Sequence, residues 1–514
     1  MNEERRLRSL LLFSLPVIVG LFYATAGLHF SYTPDDTYIY LQFARNVGEG
    51  HGVSFNAGEP TYGVTSPLWM LVIALGGKLG VDPFFGAKAL DLVFASLALV
   101  ALYLAAFEII RDVGVSLCAA VAFSVNAWFL RWSGSGMETS LSVLLMLLTL
   151  LFCLRNQYLL SAVTAGFLTL VRPEGALFIG LIMIDLLINS LDRKHALRLG
   201  VWALAAYALV VTPWLVFAYM TFGRIVPNTA LGKAGWDFTA ADTLSTAREA
   251  IRTLAAGDGA ALIACLFGGA LLLLRKPAQD GEEPMGAGYL ARQSFAGLGW
   301  TAGVILFYIA SGTNVVSRYL LLVTPLITVY AFAFFAALFS APSWRRYANV
   351  GVILLTSLIM LQNQLLYRRV VLPGIQAFED GMESCLIPIG EWFRDHSAPG
   401  TTVLTGDIGA IGYYSGRRMC DAAGLISPAF LPLIHAGTPP EEIIGQKLYR
   451  SRCAPDYVVH RAPTPEALKG DPELVPLFSK PFPNLTLSDS KIIYYTVYRM
   501  RGPDSGAGLP GVRR

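Results

Sequence analysis

Long apolar runs dominate the first 367 residues of this 514-residue chain. A run of about twenty apolar residues is long enough to cross a bilayer as a helix. Hydrophobic residues make up 54% of the chain and charged residues only 15%, which is more apolar surface than a soluble fold could bury. We therefore predict a polytopic α-helical membrane protein with about eleven transmembrane helices. They are predicted at residues 9–29, 86–107, 115–131, 139–154, 158–171, 174–190, 197–220, 260–275, 294–311, 319–339 and 347–367.

The basic residues between these runs predict the orientation of the chain. Alternate connecting segments are rich in Arg and Lys, and by the positive-inside rule they face the cytoplasm. The N-terminus is then cytoplasmic, whereas the loop 30–85 and everything after about residue 368 face outward. One further apolar segment, Pro67–Gly80, is too short to span. With Ser66 as N-cap and Pro67 as first helical residue, it is predicted to be a helix on the outer membrane surface.

The chain changes character after residue 367. Prolines, charges and short alternating segments replace the apolar runs, which predicts a small external α/β domain over residues 368–501. Residues 1–367 would form the transmembrane domain, and the Gly- and Pro-rich tail 502–514 is predicted to be disordered. The predicted elements are strands at 401–405 and 491–498 and helices at 386–396 and 440–450.

Cysteine spacing and net charge exclude some classes of function. The six cysteines show no metal-ligand spacing, and the formal charge of +3 does not indicate a nucleic-acid partner. Cys385, Cys420 and Cys453 lie in the external domain, so at most one disulfide can form among them. Their spacing does not say which two would pair.

Two adjacent carboxylates, Asp35 and Asp36, lie just after the first predicted span. Thr33 as N-cap, Pro34 as first helical residue and Asp36 three residues after the cap are typical of a helix start. This capping role accounts for Asp36 and leaves Asp35 directed toward solvent or substrate. The helix dipole favours the ionised form of both groups, which is the form that a general base needs. The pair alone supports a structural and a catalytic interpretation equally.

The run DDTYIYLQFARNVGEGHGVSFNAGEPTYGVTSPLW resembles the first external loop of polyprenyl-phosphate-sugar-dependent glycosyltransferases of the GT-C superfamily. The resemblance is to bacterial members similar to the mycobacterial terminal arabinofuranosyltransferase and, more distantly, to protein mannosyltransferase and aminoarabinose transferase types. The external domain is small for the arabinosyltransferases, which leaves the sugar and the acceptor open. Weaker similarities follow at Ser135–Thr139, Arg172–Glu174, Val226–Thr229 with Lys233, Ser317–Tyr319 and Gly406–Tyr413.

The resemblance implies an inverting glycosyltransferase of the bacterial cytoplasmic membrane that acts in cell-envelope glycan assembly. It would move a sugar from a polyprenyl-phosphate donor to a hydroxyl of a glycan, lipid or protein at the outer face. The first-loop aspartate, which matches Asp35, would be the base. Asp36 would orient the acceptor, hold a divalent cation or only cap the helix. No second acid is needed, because the lipid phosphate leaves as a stable anion, unlike the leaving group in glycoside hydrolysis.

A lipid phosphate at the outer face needs cationic partners, and the predicted orientation nominates Arg318, Lys233 and Arg172. Each has a structural alternative. Arg318 could snorkel to the interface beside Tyr319, and Arg172 could form an internal ion pair with Glu174. Lys233 could be an ordinary solvated lysine.

Other side chains on the same loops and span ends are candidates for substrate contact. Glu138 is either a second acid facing the site or a helix-dipole partner. Trp69 is either an interfacial anchor or a stacking surface for a sugar. Asp407 follows a strand in a glycine-rich turn, where it would contact the acceptor. The remaining candidates are Glu174, Asn228 and Tyr319.

Two other functions compete with the enzyme. A transporter or flippase of a lipid-linked glycan would place its charged groups at the bilayer midplane, usually within inverted repeats. The charged candidates here cluster at the outer ends of the spans, and no such repeat is evident. A non-catalytic membrane protein whose external domain binds glycan is the other alternative.

Overall fold

The structure, a computed structural model, describes residues 18–26, 30–190, 192–233, 240–274, 287–312, 316–339, 345–483 and 492–501. Helices dominate the part before residue 367, where residues 18–26 are helical and the segment Pro173–Gly175 is a 3-10 turn. The α-helices there are Asp35–Gly48, Pro67–Lys78, Pro83–Ile110, Val113–Ser124, Ala127–Trp132, Thr139–Leu154, Tyr158–Val171, Ala176–Asn189, Arg193–Phe222, Asn228–Lys233, Ala240–Leu274, Ala287–Ala310, Ser317–Leu320, Thr324–Leu338 and Arg345–Leu366.

Four of the described helices are long and apolar enough to cross a membrane. They are Pro83–Ile110, Arg193–Phe222, Thr243–Leu274 and Tyr347–His396. Shorter apolar helices, such as Thr139–Leu154 and Thr324–Leu338, pack among them. The predicted span 9–29 is described only at residues 18–26, and the predicted tail 502–514 lies outside the described residues. The prediction of a helical, multi-pass membrane fold is confirmed.

The last long helix does not stop where the sequence changes character. Arg345–Leu366, Leu372–Gly381 and Ile387–His396 join through two π-helical segments, Tyr367–Val371 and Met382–Leu386. The run is therefore helical from Arg345 to His396. The predicted helix 386–396 is its last part, so the sequence boundary at residue 368 falls inside a continuous helix.

The C-terminal part of the chain, which the sequence predicted to be external and which is called the external domain below, is built on a five-stranded sheet. Strands β1 (Thr402–Thr405), β2 (Arg418–Asp421), β3 (Tyr457–Ala462), β4 (Leu474–Phe482) and β5 (Ile493–Met500) lie in the order β2-β1-β3-β5-β4. β1 pairs in parallel with β2 and β3, whereas β5 pairs antiparallel with β3 and β4. Short helices Gly409–Ser415, Leu431–His435 and Pro440–Gly445 connect the strands. The two predicted strands are present, and the predicted helix 440–450 ends at Gly445.

One disulfide joins strand β2 to the segment before β3. Cys420 in β2 pairs with Cys453, which precedes β3, and their Cα atoms are 6.5 Å apart. Cys385 is buried and free. The structure therefore selects Cys420–Cys453 from the three pairings that the sequence left open.

The helix that carries the acidic pair begins differently from the prediction. Asp35–Gly48 has Pro34 at its N-cap, which makes no side-chain capping bond. The Thr33 hydroxyl donates to the backbone oxygen of Ser31 and accepts from the Lys88 ammonium group, at 2.9 Å in both cases. Thr33 therefore tethers the helix start to Lys88, and the predicted capping box is wrong. Ser66 is the N-cap of Pro67–Lys78, as predicted, but it too makes no capping bond.

Candidate active site

A cavity of about 440 Å³ lies where the first loop, the ends of several helices and the external domain meet. Ligand pockets are commonly about 300–1,000 Å³, so this volume suits a small-molecule ligand. The first loop contributes Gly63–Thr65 to its wall, and the external domain contributes Leu425. The charged and aromatic residues that line it are Asp36, Tyr40, Glu138, Arg172, Glu174, Phe307, Tyr308, Arg318 and Tyr319.

Asp36 and Arg318 form an ion pair on the cavity wall. The Arg318 Nη2 lies 2.6 Å from the Asp36 Oδ2. The Arg318 side chain is 9% exposed and that of Asp36 is 41% exposed, so the guanidinium is buried and the carboxylate is accessible. The alternative that Arg318 snorkels to the interface is therefore wrong. The residues that were predicted separately as acid and phosphate ligand meet at one place.

A second ion pair lies in the same wall and is more deeply buried. Arg172 Nη2 is 2.8 Å from Glu138 Oε1, and both side chains are almost fully buried. Glu174, which the sequence offered as the partner of Arg172, instead accepts a hydrogen bond from the Tyr308 hydroxyl. Breaking one partner of such a buried pair leaves an uncompensated charge, which typically costs about 3–5 kcal/mol.

Aromatic rings hold the two guanidinium groups in place. The Arg172 Cζ lies 4.9 Å and the Arg318 Cζ 5.4 Å from the centre of the Tyr319 ring. Tyr308 stacks on Tyr319 with ring centres 5.3 Å apart, and the Arg318 Cζ is 5.3 Å from the Trp132 ring. Cation–π contacts of this kind are worth about 0.5–2 kcal/mol each. The cationic side of the cavity is therefore rigid.

Asp35 points away from the cavity, toward the external domain. Its Oδ2 accepts a hydrogen bond from the backbone N–H of Gly409 at 3.0 Å, and its Oδ1 accepts one from Ala410 at 2.8 Å. These are the first residues of the helix Gly409–Ser415. Burial and the charge of Asp407 raise the pKa of Asp35 to about 7, although the two N–H groups act in the opposite direction.

Other contacts bind the first loop to the external domain beside Asp35. Asn56 accepts from the backbone N–H of Met419 at 2.9 Å and donates to its carbonyl at 3.0 Å. Glu59 accepts two hydrogen bonds from Arg418, which lower the pKa of Glu59. The Arg45 guanidinium lies over the Tyr413 ring, 3.9 Å from its centre. The loop therefore covers the outer edge of β2.

Three of the predicted substrate-contact residues do not line the cavity, and the structure does not test a fourth candidate, Lys233. Trp69 is fully buried and donates to the backbone oxygen of Gly136 at 3.0 Å, so it is neither an interfacial anchor nor a stacking surface. Asn228 donates to the backbone oxygen of Leu425. Asp407 accepts from Arg461 and Tyr495 within the external domain. The side chain of Lys233 lies outside what the structure describes.

The site also contains residues that the sequence did not nominate. Tyr308 lies in the apolar helix Ala287–Ala310, where nothing in the pattern separates it from a core aromatic. Lys88 does not line the cavity, but it donates to the Tyr32 carbonyl at 2.7 Å next to the acidic pair, and it carried a visible signal as a charge inside an apolar helix. Among the described residues, no three His, Cys, Asp or Glu side chains are grouped to hold a metal.

Comparison with solved structures shows the fold. ArnT from Cupriavidus metallidurans, in a crystal structure bound to undecaprenyl phosphate, matches with a TM-score of 0.58 over 94% of this chain and 98% of that chain, at 14% identity. The oligosaccharyltransferase of Archaeoglobus fulgidus matches with a TM-score of 0.57 over 87% of this chain and 69% of that one, at 13% identity. The chain therefore has the membrane fold of the GT-C glycosyltransferases.

Sequence comparison points in the same direction over part of the chain. The terminal β-(1→2)-arabinofuranosyltransferase of Mycobacterium tuberculosis is 31% identical over 223 residues, which are 39% of this chain and 34% of that protein. The match thus spans about a third of that relative. Residues 375–498 match a family described as a domain of unknown function, DUF8728. The resemblance to GT-C glycosyltransferases that the first loop predicted is confirmed.

Proposed function

We propose that this protein is an inverting glycosyltransferase that uses a polyprenyl-phosphate sugar and a hydroxyl acceptor at the outer face of the bacterial cytoplasmic membrane. The observation that carries the proposal is the Asp36–Arg318 pair on the wall of a cavity that also holds Arg172. A transferase of this class needs a carboxylate to take a proton and a cation to hold a phosphate, and the cavity offers both. ArnT, which shares the fold, binds undecaprenyl phosphate.

In this proposal Asp36 is the base, whereas the sequence favoured Asp35. Asp36 is accessible from the cavity, and Asp35 uses both carboxylate oxygens to accept N–H groups of the external domain. Asp36 takes the proton of the acceptor hydroxyl as that oxygen attacks the anomeric carbon. The bond from that carbon to the phosphate oxygen breaks, and the lipid phosphate leaves from the opposite face. One displacement inverts the anomeric configuration.

Arg318 has two successive partners in this scheme. Without a donor it neutralises Asp36 at 2.6 Å. The donor phosphate carries charge that matches a guanidinium, so it competes for Arg318 and releases the carboxylate of Asp36 for the acceptor. Arg172, held by Glu138 and Tyr319, adds positive charge behind Arg318 as the phosphate leaves. Lys233 remains a candidate for a further phosphate contact.

The finer topology belongs to the same proposal. About eleven helices cross the membrane, the N-terminus is cytoplasmic and residues 368–501 are external. The continuous helix from Arg345 to His396 supports this arrangement, because it is long enough to leave the bilayer and enter the sheet domain. The proposed domains are a transmembrane domain over residues 1–367, an external domain over residues 368–501 and a tail over residues 502–514. Reactive-cysteine labelling from either side of intact cells tests the orientation.

The function is tested in cells that lack this chain. Mass spectrometry of their lipids should show an accumulated polyprenyl-phosphate sugar and a truncated acceptor. Wild type and Asp395→Asn, which changes an exposed carboxylate on the helix Ile387–His396, should restore normal levels. Asp36→Asn should be expressed and leave the donor accumulated, since loss of a general base typically costs about 10²–10⁴ in rate.

A reaction with azide distinguishes the roles of Asp36 and Asp35 in the purified enzyme. Azide needs no deprotonation, so in Asp36→Ala it should attack the anomeric carbon of the accumulated donor and release lipid phosphate as a glycosyl azide forms. Asp35→Ala should give no such gain. Normal transfer by Asp36→Asn would show that Asp36 is not the base. Deletion cells without any accumulated polyprenyl-phosphate sugar would overturn the function itself.

A further inference from the structure

The cavity wall contains two carboxylate oxygens that have no hydrogen-bond partner among the described residues. They are Oε2 of Glu138 and Oε2 of Glu174. Both side chains are more than nine-tenths buried, with exposed fractions of 1% and 7%, and both line the cavity. Buried polar atoms are nearly always satisfied in folded proteins, and an unsatisfied one costs about 1–3 kcal/mol. Each of these oxygens is therefore short of one donor.

The other oxygen of each carboxylate is fixed by the protein. Oε1 of Glu138 faces Arg172, and Oε1 of Glu174 accepts from Tyr308. Each side chain is thus held in one orientation with its second oxygen left over. A group that is locked in this way loses little conformational entropy when a ligand donates to it, which is the property of a preorganised site.

On the cationic side of the same wall, N–H donors lack hydrogen-bond acceptors among the described residues. The Nε groups of Arg172 and Arg318 and the Nη2 of Arg172 are buried and make no hydrogen bond to an acceptor among the residues that the structure covers, although this Nη2 is in ion-pair contact with Glu138. The cavity therefore offers guanidinium N–H donors without acceptors and two carboxylate oxygens without donors. A sugar phosphate supplies the complement, because its phosphate oxygens accept and its hydroxyls donate.

We infer that Glu138 and Glu174 recognise the hydroxyl groups of the donor sugar, and that the enzyme selects a neutral sugar with free hydroxyls over one that carries a carboxylate. The inference rests on the proposed function and names the sugar class for the same cavity. A uronic acid would bring a third negative charge beside two buried carboxylates, and the like charges would repel. A deoxy sugar would leave one of the carboxylate oxygens without its donor.

Binding of four lipids to the full-length protein in detergent tests this, with dissociation constants measured by native mass spectrometry. The probes are undecaprenyl phosphate and its arabinofuranosyl, glucosyl and glucuronosyl esters. Wild type should bind at least one neutral ester more tightly than undecaprenyl phosphate. Of the four lipids, it should bind the glucuronosyl ester most weakly. Glu174→Gln should reduce the advantage of the neutral ester by about tenfold while binding undecaprenyl phosphate normally.

The controls separate the inference from a folding defect and from the proposed function. Glu442→Gln, a change at an exposed acid of the external domain, should leave all four constants unchanged. Glu138→Gln should act like Glu174→Gln, and thermal unfolding checks that its loss of the Arg172 partner leaves the protein folded. Equal weakening of undecaprenyl phosphate and the neutral esters by Glu174→Gln, or tight binding of the glucuronosyl ester, would overturn the inference alone. Failure of wild type to bind any of the four lipids would overturn the proposed function with it.

Discussion

Gly409 has no room for a side chain because it packs directly on Asp35. A β-carbon at Gly409 would lie 2.6 Å from the carboxylate carbon of Asp35. The same contact brings the backbone N–H of Gly409 within 3.0 Å of Asp35 Oδ2. The first loop and the external domain therefore meet at Asp35. Asp35 is adjacent in sequence to Asp36, which lines the cavity.

Gly409→Ala should loosen this contact without touching any group that lines the cavity. Overpacking at a close contact typically costs about 1–3 kcal/mol, so we expect a lower unfolding temperature and weaker transfer. Gly445→Ala is the matched control, because a β-carbon there meets nothing within 4 Å. Thermal unfolding and the cell-based lipid assay measure both effects. A Gly409→Ala protein as stable and active as Gly445→Ala would show that the contact does not matter.

Asp35 gives a pH dependence with a defined sign. Its pKa of about 7 in the folded protein lies above the value of about 3.9 for an unfolded aspartate. The stability that it contributes is therefore fully present below about pH 4 and is lost as the pH rises through about 7. Asp35→Asn lacks this titration, so wild type should lose stability relative to the variant between about pH 4 and pH 7. Parallel unfolding temperatures of the two proteins across this range would contradict the prediction.

The Asn56 side chain bonds to the backbone of the edge strand β2 as a neighbouring strand would. Its amide satisfies both backbone groups of Met419, so Asn56→Ala should leave two unpaired groups and cost about 1–2 kcal/mol. Asn56→Asp keeps the acceptor and loses the donor, and it should lie between wild type and Asn56→Ala. Hydrogen exchange at the Met419 amide reports the change directly. Unchanged protection of that amide in Asn56→Ala would be the contrary result.

The disulfide between Cys420 and Cys453 should stabilise the external domain. It closes a loop with a sequence separation of 33 residues, for which a stabilisation of about 2–4 kcal/mol is typical. Dithiothreitol should therefore lower the unfolding temperature of wild type and leave that of Cys420→Ser unchanged. An equal effect of the reductant on both proteins would show that the bond does not form in solution.

Features set by local sequence were predictable. The apolar runs predicted the helical membrane fold, and the first loop predicted the superfamily from about thirty-five residues. Asp36 and Arg318 were each nominated, yet 282 residues separate them, so only the fold could show that they meet. Strands β2 to β4 were missed because their burial depends on partners far away in the chain.

The roles of the acidic pair could not be assigned from sequence for the same reason. A helix-start pattern fits both residues of a pair, and the partner that distinguishes them is Gly409, 374 residues away. Thr33 had the right type and position for an N-cap, but Lys88 from another helix engages its hydroxyl. Long-range hydrogen bonds of this kind override local capping preferences.

The helix that runs unbroken from Arg345 to His396 has a consequence for the design of chimaeras. It gives the external domain a stiff stem, while Asp35 and Asn56 fix the other side of that domain. Exchanging only residues 368–514 between relatives would separate Asp35 and Asn56 from the backbone groups that they bind. Chimaeras should therefore take the first loop and the external domain from the same parent.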